Sequence, residues 1–408
     1  MSEVAQAPQL RFPEFNVSWN EYKLGSITDV VDSLHTTPKD YVSSGFPMIR
    51  VVDVSNIELD LNKCLNVSEE TYRQFTKKYQ PKVGDVVLSR VGTCGASIML
   101  RTKDNVCLGQ NTVLLHPKIN KDFYHILVKS NIFQVQVSRR VVGSTQKTLS
   151  LKDLKLFKLN IPAKPEQQKI AEFLTAVDNK IEQLIKKQEL LGEYKKGLMQ
   201  QIFSQAIRFK ADDGSDFPNW EEKKLGDVVS TPVSDGPHLT PKFVKQGVPF
   251  LSVNNLVESK IDFSNVRYIS IDDHLVFSKK CKPKKGDVLL GKAASVGKVA
   301  FVETDVEFNI WSPIAMIRPG NSNFSKYIYY CFQTRFILNQ ISKFTNSSSQ
   351  GNIGMGDINK IIIKLPNKLE QTKIANLLSS IDSKIEQVGK QLRESKQFKK
   401  ALLQQMFV

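Results

Sequence analysis

The sequence has few of the features that would place the chain in a membrane or outside the cell. Its five cysteines are irregularly spaced and form no CxxC pair, which argues against both a disulfide framework and a zinc site. It contains no run of 18 apolar residues, so no transmembrane helix is expected. The first residues lack the basic and apolar stretches of a secretion signal. These absences predict a cytoplasmic protein with reduced thiols.

Sequence motifs for catalysis are missing as well. The D/N-P-P-Y/F motif of an adenine methyltransferase is absent. The segment from Gly286 to Ala293 resembles a phosphate-binding loop, but alanine stands where the motif needs a hydroxyl for Mg²⁺. The five histidines are scattered and offer no set of metal ligands. We therefore predict that this chain has no catalytic residue, no metal site and no cofactor-binding site.

The chain is strongly basic, with a formal net charge of +16. Residues 166–203 hold six lysines and six acidic residues, and residues 370–408 hold seven basic and four acidic residues. Most of the positive charge therefore lies outside these two segments. Basic globular surface is typical of nucleic-acid binding, whereas near-neutral helices are better suited to protein partners.

Two similar halves follow each other when the sequence is compared with itself at an offset of 201 to 204 residues. Each half has a Trp and a Lys-Leu-Gly near its start, then an Asp-x-x-His-x-Thr-Pro motif and a Gly-Asp-Val strand. Short Val- and Ile-rich runs bounded by Gly, Pro and Asn indicate strands and tight turns. Helical segments are predicted at 122–138 and 325–341. Each globular half is thus expected to be a mixed α/β domain with a curved, mostly antiparallel sheet.

The repeat is strongest in two long helical segments. Residues 166–203 and 370–407 share 18 identities in 38 positions, including Asp-x-Lys-Ile-Glu-Gln in both. Apolar residues recur at heptad spacing for about five heptads, which is typical of a coiled coil. Gln188 and Lys195 are polar exceptions in the seam. The apolar seam positions are Ile170, Leu174, Val177, Ile181, Leu184, Leu191, Leu198, Ile202, Ile374, Leu378, Ile381, Ile385, Val388, Leu392, Leu402 and Met406.

Two variable α/β regions, each followed by a related helix that starts Pro-x-x-Glu-Gln-x-Lys-Ile-Ala, resemble the DNA-specificity subunit of a type I restriction–modification enzyme. The resemblance covers nearly the whole chain. It is strongest in the helices, while the Gly-Asp-Val strand and Gly109-Gln110-Asn111 give weaker support. The second half departs at that last segment, where it has Phe308-Asn309-Ile310.

The resemblance implies a non-catalytic subunit that binds double-stranded DNA and two copies of a methyltransferase (modification) subunit, which restriction motor subunits can join. S-adenosylmethionine, ATP and Mg²⁺ would then belong to those partners, and no membrane partner is implied. The expected architecture is two target-recognition domains in tandem, at residues 1–162 and 206–366. A long spacer helix follows each domain, at 163–205 and 367–408.

The connections predict that the two helices form an antiparallel coiled coil, because the second helix has to run back toward the first domain. A helix of 38 residues spans about 57 Å at ~1.5 Å per residue, which matches about 17 base pairs at ~3.4 Å each. Each domain would then read one half of an asymmetric bipartite site, and helix length would set the gap between the halves.

The best candidates for DNA contact are basic and polar residues in glycine-bearing loops. Arg, Gln and Asn can read purine edges, whereas Lys and Ser more often hold phosphates. The matched residues His35 and His238 are either structural turn residues or phosphate contacts. The full set of candidates is His35, Ser89, Arg90, Thr93, Arg139, Arg140, Ser144, Thr145, Gln146, Lys147, His238, Lys292, Ser295, Lys343, Asn346, Ser348 and Gln350.

Two other functions are weighed against this one. The first alternative is a coiled-coil scaffold whose basic domains bind RNA or another protein. A fused restriction enzyme is disfavoured by the missing catalytic motifs. The scaffold predicts no specific DNA site and no methyltransferase partner, so mapping of methylated adenines would separate it from a specificity subunit.

Overall fold

The chain folds into two compact units, each with parts of both long helices. The computed structural model describes residues 7–54, 59–141, 147–320, 324–345 and 351–408. Unit 1 comprises Met1–Lys187 with Val388–Val408, and unit 2 comprises Gln188–Gln387. The unit boundaries therefore cut through the helices, whereas the sequence-based division keeps each helix whole. No helix in the described ranges is long and apolar enough to cross a membrane.

Unit 1 contains the first globular domain. Its strands are β1 (Asn20–Lys23), β2 (Thr28–Asp32), β3 (Phe46–Ile49), β4 (Leu65–Val67), β5 (Val86–Ser89), β6 (Ser97–Met99), β7 (Cys107–Leu108), β8 (Thr112–Pro117) and β9 (Lys158–Ile161). Its helices are α1 (Leu24–Ile27), α2 (Val51–Val54), α3 (Glu69–Thr76), α4 (Lys121–Lys129), α5 (Asn131–Arg140) and α6 (Leu151–Lys155), with a 3-10 turn at Leu61–Lys63. The long helix α7 (Lys164–Phe203) follows.

Two small sheets and a strand pair form the framework of this domain. The order β2-β8-β5-β6 gives a four-stranded antiparallel sheet, and β4-β3-β7 gives a second sheet in which β3 and β7 are parallel. Strands β1 and β9 pair in antiparallel fashion at the start of α7. Every residue of β5 is buried, which agrees with its Val-Val-Leu run and with its place between two other strands of the sheet.

Unit 2 contains the second globular domain. Its strands are β10 (Glu221–Lys224), β11 (Ser234–Asp235), β12 (Val248–Leu251), β13 (Leu256–Val257), β14 (Lys260–Ile261), β15 (Arg267–Ile269), β16 (Val288–Gly291), β17 (Val299–Phe301), β18 (Asn309–Ile310), β19 (Ile314–Ile317) and β20 (Ile362–Leu365). Its helices are α8 (Leu225–Val228), α9 (Ile271–Lys280), α10 (Ser325–Cys331), α11 (Arg335–Phe344) and α12 (Met355–Lys360), with a 3-10 turn at Val253–Asn255. The second long helix is α13 (Lys368–Gln405).

The sheets of unit 2 repeat those of unit 1. The order β11-β19-β16-β17 matches β2-β8-β5-β6, and β15-β12-β18 matches β4-β3-β7 with the same parallel pair. The mixed α/β class and the mostly antiparallel sheets predicted from the sequence are confirmed. The predicted helical segments are each split in two. Ser130 ends α4 and begins α5, and Thr334 caps the start of α11.

A buried carboxylate explains the repeated Gly-Asp-Val motif. Asp85 accepts a hydrogen bond from the backbone N of Lys82 and lies 2.7 Å from His116 Nδ1. Asp287 accepts from the backbone N of Lys284 and pairs with Arg318 through two nitrogens at 2.7 and 2.8 Å. In both domains the aspartate closes the turn before a central strand and is paired with a basic side chain in or just after the adjacent strand, since a buried carboxylate without a partner would be costly.

Within each unit the long helices pack in antiparallel fashion, as predicted. In unit 1, Leu174 of α7 and Leu402 of α13 lie in one apolar core. In unit 2, Ile202 and Ile374 do the same. Lys195, one of the two polar exceptions in the seam, lies 2.7 Å from Asp382 in unit 2. The repeat places Lys399 against Asp178 in unit 1. The lysines that interrupt the heptad pattern therefore form a matched set of ion pairs.

A buried glutamate fixes the start of each long helix to its domain. Glu166 accepts hydrogen bonds from Arg11 Nε at 2.7 Å and from Trp19 Nε1 at 3.2 Å. The bond to Glu166 raises the pKa of the Arg11 guanidinium, against the effect of burial. Glu370 is bound in the same way by Arg208 and Trp220. The Glu-Gln motif at each helix start and the Trp of each half therefore form one duplicated anchor.

Candidate nucleic-acid interface

In the first domain, the Asp-x-x-His motif meets the loop after β5 at one edge of the four-stranded sheet. Asp32 ends β2, and its Oδ2 lies 2.8 Å from His35 Nε2. Arg90 follows β5 and places its Nε 3.8 Å from Asp32 Oδ1 and its Nη2 3.4 Å from His35 Nδ1. The His35 side chain remains 62% exposed, whereas that of Arg90 is 13% exposed. The carboxylate thus orients a histidine toward solvent and holds an arginine beneath it.

Two further loops, one at Lys147 and one at Gln110 and Asn111, join this edge through hydrogen bonds. The N of Gly92 donates to Lys147 O, and the N of Arg90 donates to Asn111 O, both at 3.1 Å. Thr37 Oγ1 donates to Gln110 Oε1 at 3.2 Å. Thr93, Lys147 and Gln110 are exposed. The structure therefore brings together His35, Arg90, Thr93 and Lys147, which the sequence could only list separately, and adds Gln110 and Thr37 to them.

Two candidates in the first domain face inward. Ser89 is fully buried, and its Oγ donates to Val91 O at 3.1 Å, so the side chain shapes the loop. Arg140 donates through Nη1 to Asp153 O, and its guanidinium carbon lies 5.5 Å from the centre of the Phe157 ring. Arg139, at the end of α5, is exposed. Ser144, Thr145 and Gln146 lie outside the described residues.

The second domain builds the same edge around Asp235. This buried carboxylate lies 2.5 Å from Lys280 Nζ, 3.2 Å from Lys292 Nζ and 3.3 Å from His238 Nε2. Burial acts to raise the pKa of Asp235, but the hydrogen bonds from the two lysines outweigh it, and the pKa lies below its usual value. His238 is 70% exposed, whereas Lys292 is 7% exposed. Lys292 thus occupies the place of Arg90 and is committed to the aspartate.

The remaining candidates of the second domain lie in the loops around this cluster. Ser295 is half-buried in the loop after β16, and Lys343 is exposed near the end of α11. The N of Ile353 donates to Lys292 O at 2.9 Å, which joins the loop before α12 to the same edge. Asn346, Ser348 and Gln350 lie outside the described residues.

Gly236 is a residue whose importance the sequence did not reveal. A Cβ built on Gly236 would lie 1.6 Å from the backbone O of Ile310, so the Asp-Gly-Pro-His turn packs directly against β18. The N of Ser312 also donates to Pro237 O at 3.2 Å. In the sequence, the repeated aspartate just before Gly236 was the available sign that this turn matters. The close contact with Ile310 could not be foreseen, because the two residues are far apart in the chain.

Comparison with known proteins agrees with this duplicated architecture. The family model described as the type I restriction modification DNA specificity domain matches residues 16–191 and again residues 218–394. The putative type I restriction enzyme MjaX specificity subunit of Methanocaldococcus jannaschii is 25% identical over 96% of this chain and 93% of its own length. The EcoBI specificity subunit of Escherichia coli is 21% identical over 93% of this chain and 82% of its own length.

Solved structures show the same fold. The S subunit of a type I restriction–modification system from M. genitalium superposes with a TM-score of 0.63 at 15% identity, covering 99% of both chains. A chain from a structure described as the basis of complex assembly and conformational transition of the type I R-M system gives a TM-score of 0.54 at 16% identity. The match covers 94% of this chain and 96% of that chain.

The family model covers most of the chain in two copies, and the relatives align over nearly its full length. The scaffold alternative is not favoured by these findings. The resemblance inferred from the helix motifs is confirmed: this chain belongs to the type I restriction modification DNA specificity family, as a non-catalytic specificity subunit with two copies of the domain.

Proposed function

We propose that this chain selects the DNA target of a type I restriction–modification complex, and that each globular domain reads one half of an asymmetric bipartite site. The duplicated edge around Asp32 and Asp235 carries this proposal. Each edge presents an exposed histidine beside a held cation. The side chains around the two clusters differ, with Gln110 in the first domain and Ser312 at the matching position of the second. Shared geometry with different surface chemistry favours two different half-sites.

Helix length supplies the spacing in this proposal. Helices α7 and α13 have 40 and 38 residues. At ~1.5 Å per residue each spans close to 60 Å. The antiparallel packing within each unit is closed by apolar cores and by the matched ion pairs of Lys195 and Lys399. In this proposal helix length sets the gap between the two half-sites, as half-site spacing follows protein geometry in other DNA-binding proteins.

The outer faces of the helices are proposed to bind two copies of a methyltransferase subunit, with restriction motor subunits joining the complex. Tyr194 on α7 and Phe398 on α13 stand at matching positions of the repeat and are 58% and 52% exposed. Aromatic residues are enriched at protein–protein interfaces, and two that match across the repeat favour two copies of the same partner. S-adenosylmethionine, ATP and Mg²⁺ are proposed to bind to these partners.

The proposed function is tested by mapping methylated adenines in DNA from cells that produce the chain with the methyltransferase it co-purifies with. The expected result is one asymmetric motif with two defined parts and a fixed unread gap. Cells producing the methyltransferase alone are the control and should lack the motif. Random methylation, or no co-purifying methyltransferase, would contradict the proposal.

Adjacent arginines on α5 are expected to give different phenotypes. Arg139→Ala should weaken binding to the mapped duplex, because an exposed cation beside the interface contributes attraction to phosphate. Arg140→Ala should lower thermal stability, by roughly 1 kcal/mol, because it removes a hydrogen bond to Asp153 O and the contact with Phe157. Gel-shift titration and thermal unfolding of both variants check this. If the two variants lose DNA affinity and thermal stability to the same extent, the different roles assigned to Arg139 and Arg140 are contradicted.

A further inference from the structure

An arginine in the second domain is held on an aromatic platform. Arg267 lies at the start of β15, opposite Phe250 of β12. Its guanidinium carbon is 4.0 Å from the centre of the Phe243 ring and 5.4 Å from that of Trp311. The residue is exposed. Guanidinium groups stack on aromatic faces by cation–π attraction, which restricts their rotation.

The platform beneath Arg267 is rigid. Phe250 is 1% exposed, and its ring centre lies 6.1 Å from that of Phe243 and 6.2 Å from that of Trp311. The backbone N of Trp311 donates to Leu251 O at 2.9 Å, and the N of Val244 donates to Tyr268 O at 2.9 Å. Both half-buried aromatic residues are therefore anchored to the three-stranded sheet.

The charge of Arg267 has no partner in the part of the chain that the structure describes. Its guanidinium makes no ion pair and no side-chain hydrogen bond there, whereas Arg318 of the same domain is bound by Asp287. Because the guanidinium of Arg267 contacts the two rings through its faces, the N–H groups along its edge remain available as hydrogen-bond donors. Such an edge matches an acceptor pair in one plane.

The platform borders the candidate interface. Trp311 is followed by Ser312, whose N donates to Pro237 O, next to His238. Arg267 therefore presents its donors beside the edge built around Asp235. Its neighbours Lys242 and Lys245 are exposed as well and add positive charge to this part of the surface.

The first domain lacks this arrangement. Leu65 occupies the position of Arg267 in the matching strand pair, since it lies opposite Met48 as Arg267 lies opposite Phe250. Gly109 occupies the position of Trp311, because its N donates to Ile49 O as that of Trp311 donates to Leu251 O. The strand pairing therefore corrects the sequence-based match of Gly109 with Phe308. A contact with DNA phosphates would be useful to both domains. An arginine arrangement found in one domain is better suited to reading a base in one half-site.

We propose that Arg267 reads a guanine in the half-site of the second domain, donating from its edge to guanine O6 and N7. Guanine shows this pair of acceptors in the major groove, and arginine is its commonest specific partner. The inference rests on the proposed function. Trp311 and Phe243 act as positioning residues, since they hold the guanidinium without contacting the base.

The test uses the full chain, which selects bound duplexes from a pool of random-sequence DNA. Wild type is expected to yield a bipartite motif with an invariant guanine in one half. Arg267→Ala and Arg267→Lys should each lose about 5- to 150-fold of the preference for that guanine, the equivalent of roughly 1–3 kcal/mol for a bidentate contact. Trp311→Leu should weaken the same preference partly. The half read by the first domain should not change in any variant.

Lys285→Ala is the matched control, because Lys285 is an exposed cation before β16, at the end of that strand opposite to Lys292. It should leave both half-sites unchanged. If Arg267→Lys keeps full selectivity while Arg267→Ala loses affinity equally for all sequences, Arg267 holds a phosphate and the inference is overturned. If the variants match wild type, it is overturned as well. If the wild-type chain selects no motif, the result instead contradicts the proposed function itself.

Discussion

Glu370→Gln is expected to destabilise the second unit by about 3 kcal/mol. Glu370 is fully buried and accepts from Arg208 Nε and Nη2 at 3.2 and 2.8 Å, and from Trp220 Nε1 at 3.1 Å. A glutamine amide leaves the arginine without its counter-charge and turns an NH₂ group toward other donors. Removing one partner of a buried ion pair costs roughly 3–5 kcal/mol. Because Arg208 is 24% exposed and can be partly solvated, the expected loss of stability is at the lower end of this range.

The measurement is urea denaturation followed by tryptophan fluorescence, since Trp220 reports on the anchor itself. Glu166→Gln should have the same effect in the first unit, where Trp19 is the reporter. Glu172→Gln is the control, because this exposed residue of α7 accepts a hydrogen bond from the neighbouring Gln168 on the helix surface and the substitution should change stability by less than about 0.5 kcal/mol. Unchanged denaturation midpoints in both anchor variants would contradict the role assigned to these glutamates.

Replacing the second domain with a copy of the first is expected to change one half of the DNA target completely. Residues 9–162 would take the place of 206–366, which puts Arg11 and Trp19 where Arg208 and Trp220 anchor the start of α13. The helices remain intact, and the similarity of their sequences allows the copied domain to pack on them. Because the helices are antiparallel, the doubled chain should select a symmetric site, with the half read by the first domain repeated in inverted orientation.

The change in specificity should be large. Each mismatched base pair costs roughly 1–3 kcal/mol, so a half-site of three bases implies a loss of at least about 100-fold for the original target. Selection from a random-sequence duplex pool measures it, and the reciprocal chain with two copies of the second domain is the matched control. A target in which both halves change, or in which neither does, would contradict the model of one domain for one half-site. The doubled chain also lacks Arg267, so its motif should lack the guanine assigned to that residue.

The sequence alone determined the duplication, the mixed α/β class and the antiparallel helix pair. These features are encoded by local patterns: heptad spacing, short Val- and Ile-rich strands, and turns at Gly and Pro. The family followed from the helix motifs, because those are the least varied part of the repeat. The sequence motifs also mark the loops that meet at the candidate interface, since His35, Arg90 and Lys147 lie in them.

Only the tertiary structure decided what each of these side chains does. Arg139 and Arg140 are neighbours in sequence, yet one is exposed and the other is held by Asp153 O and Phe157. Lys292 is one of the sequence-based candidates for DNA contact, and the fold buries it against Asp235. The contact of Arg267 with Trp311 joins β15 to the residue that follows β18, and these strands, distant in the chain, are brought together by their pairing with β12. Local patterns specify elements, but the partner of a charged side chain depends on which elements become neighbours, and that is a property of the folded chain.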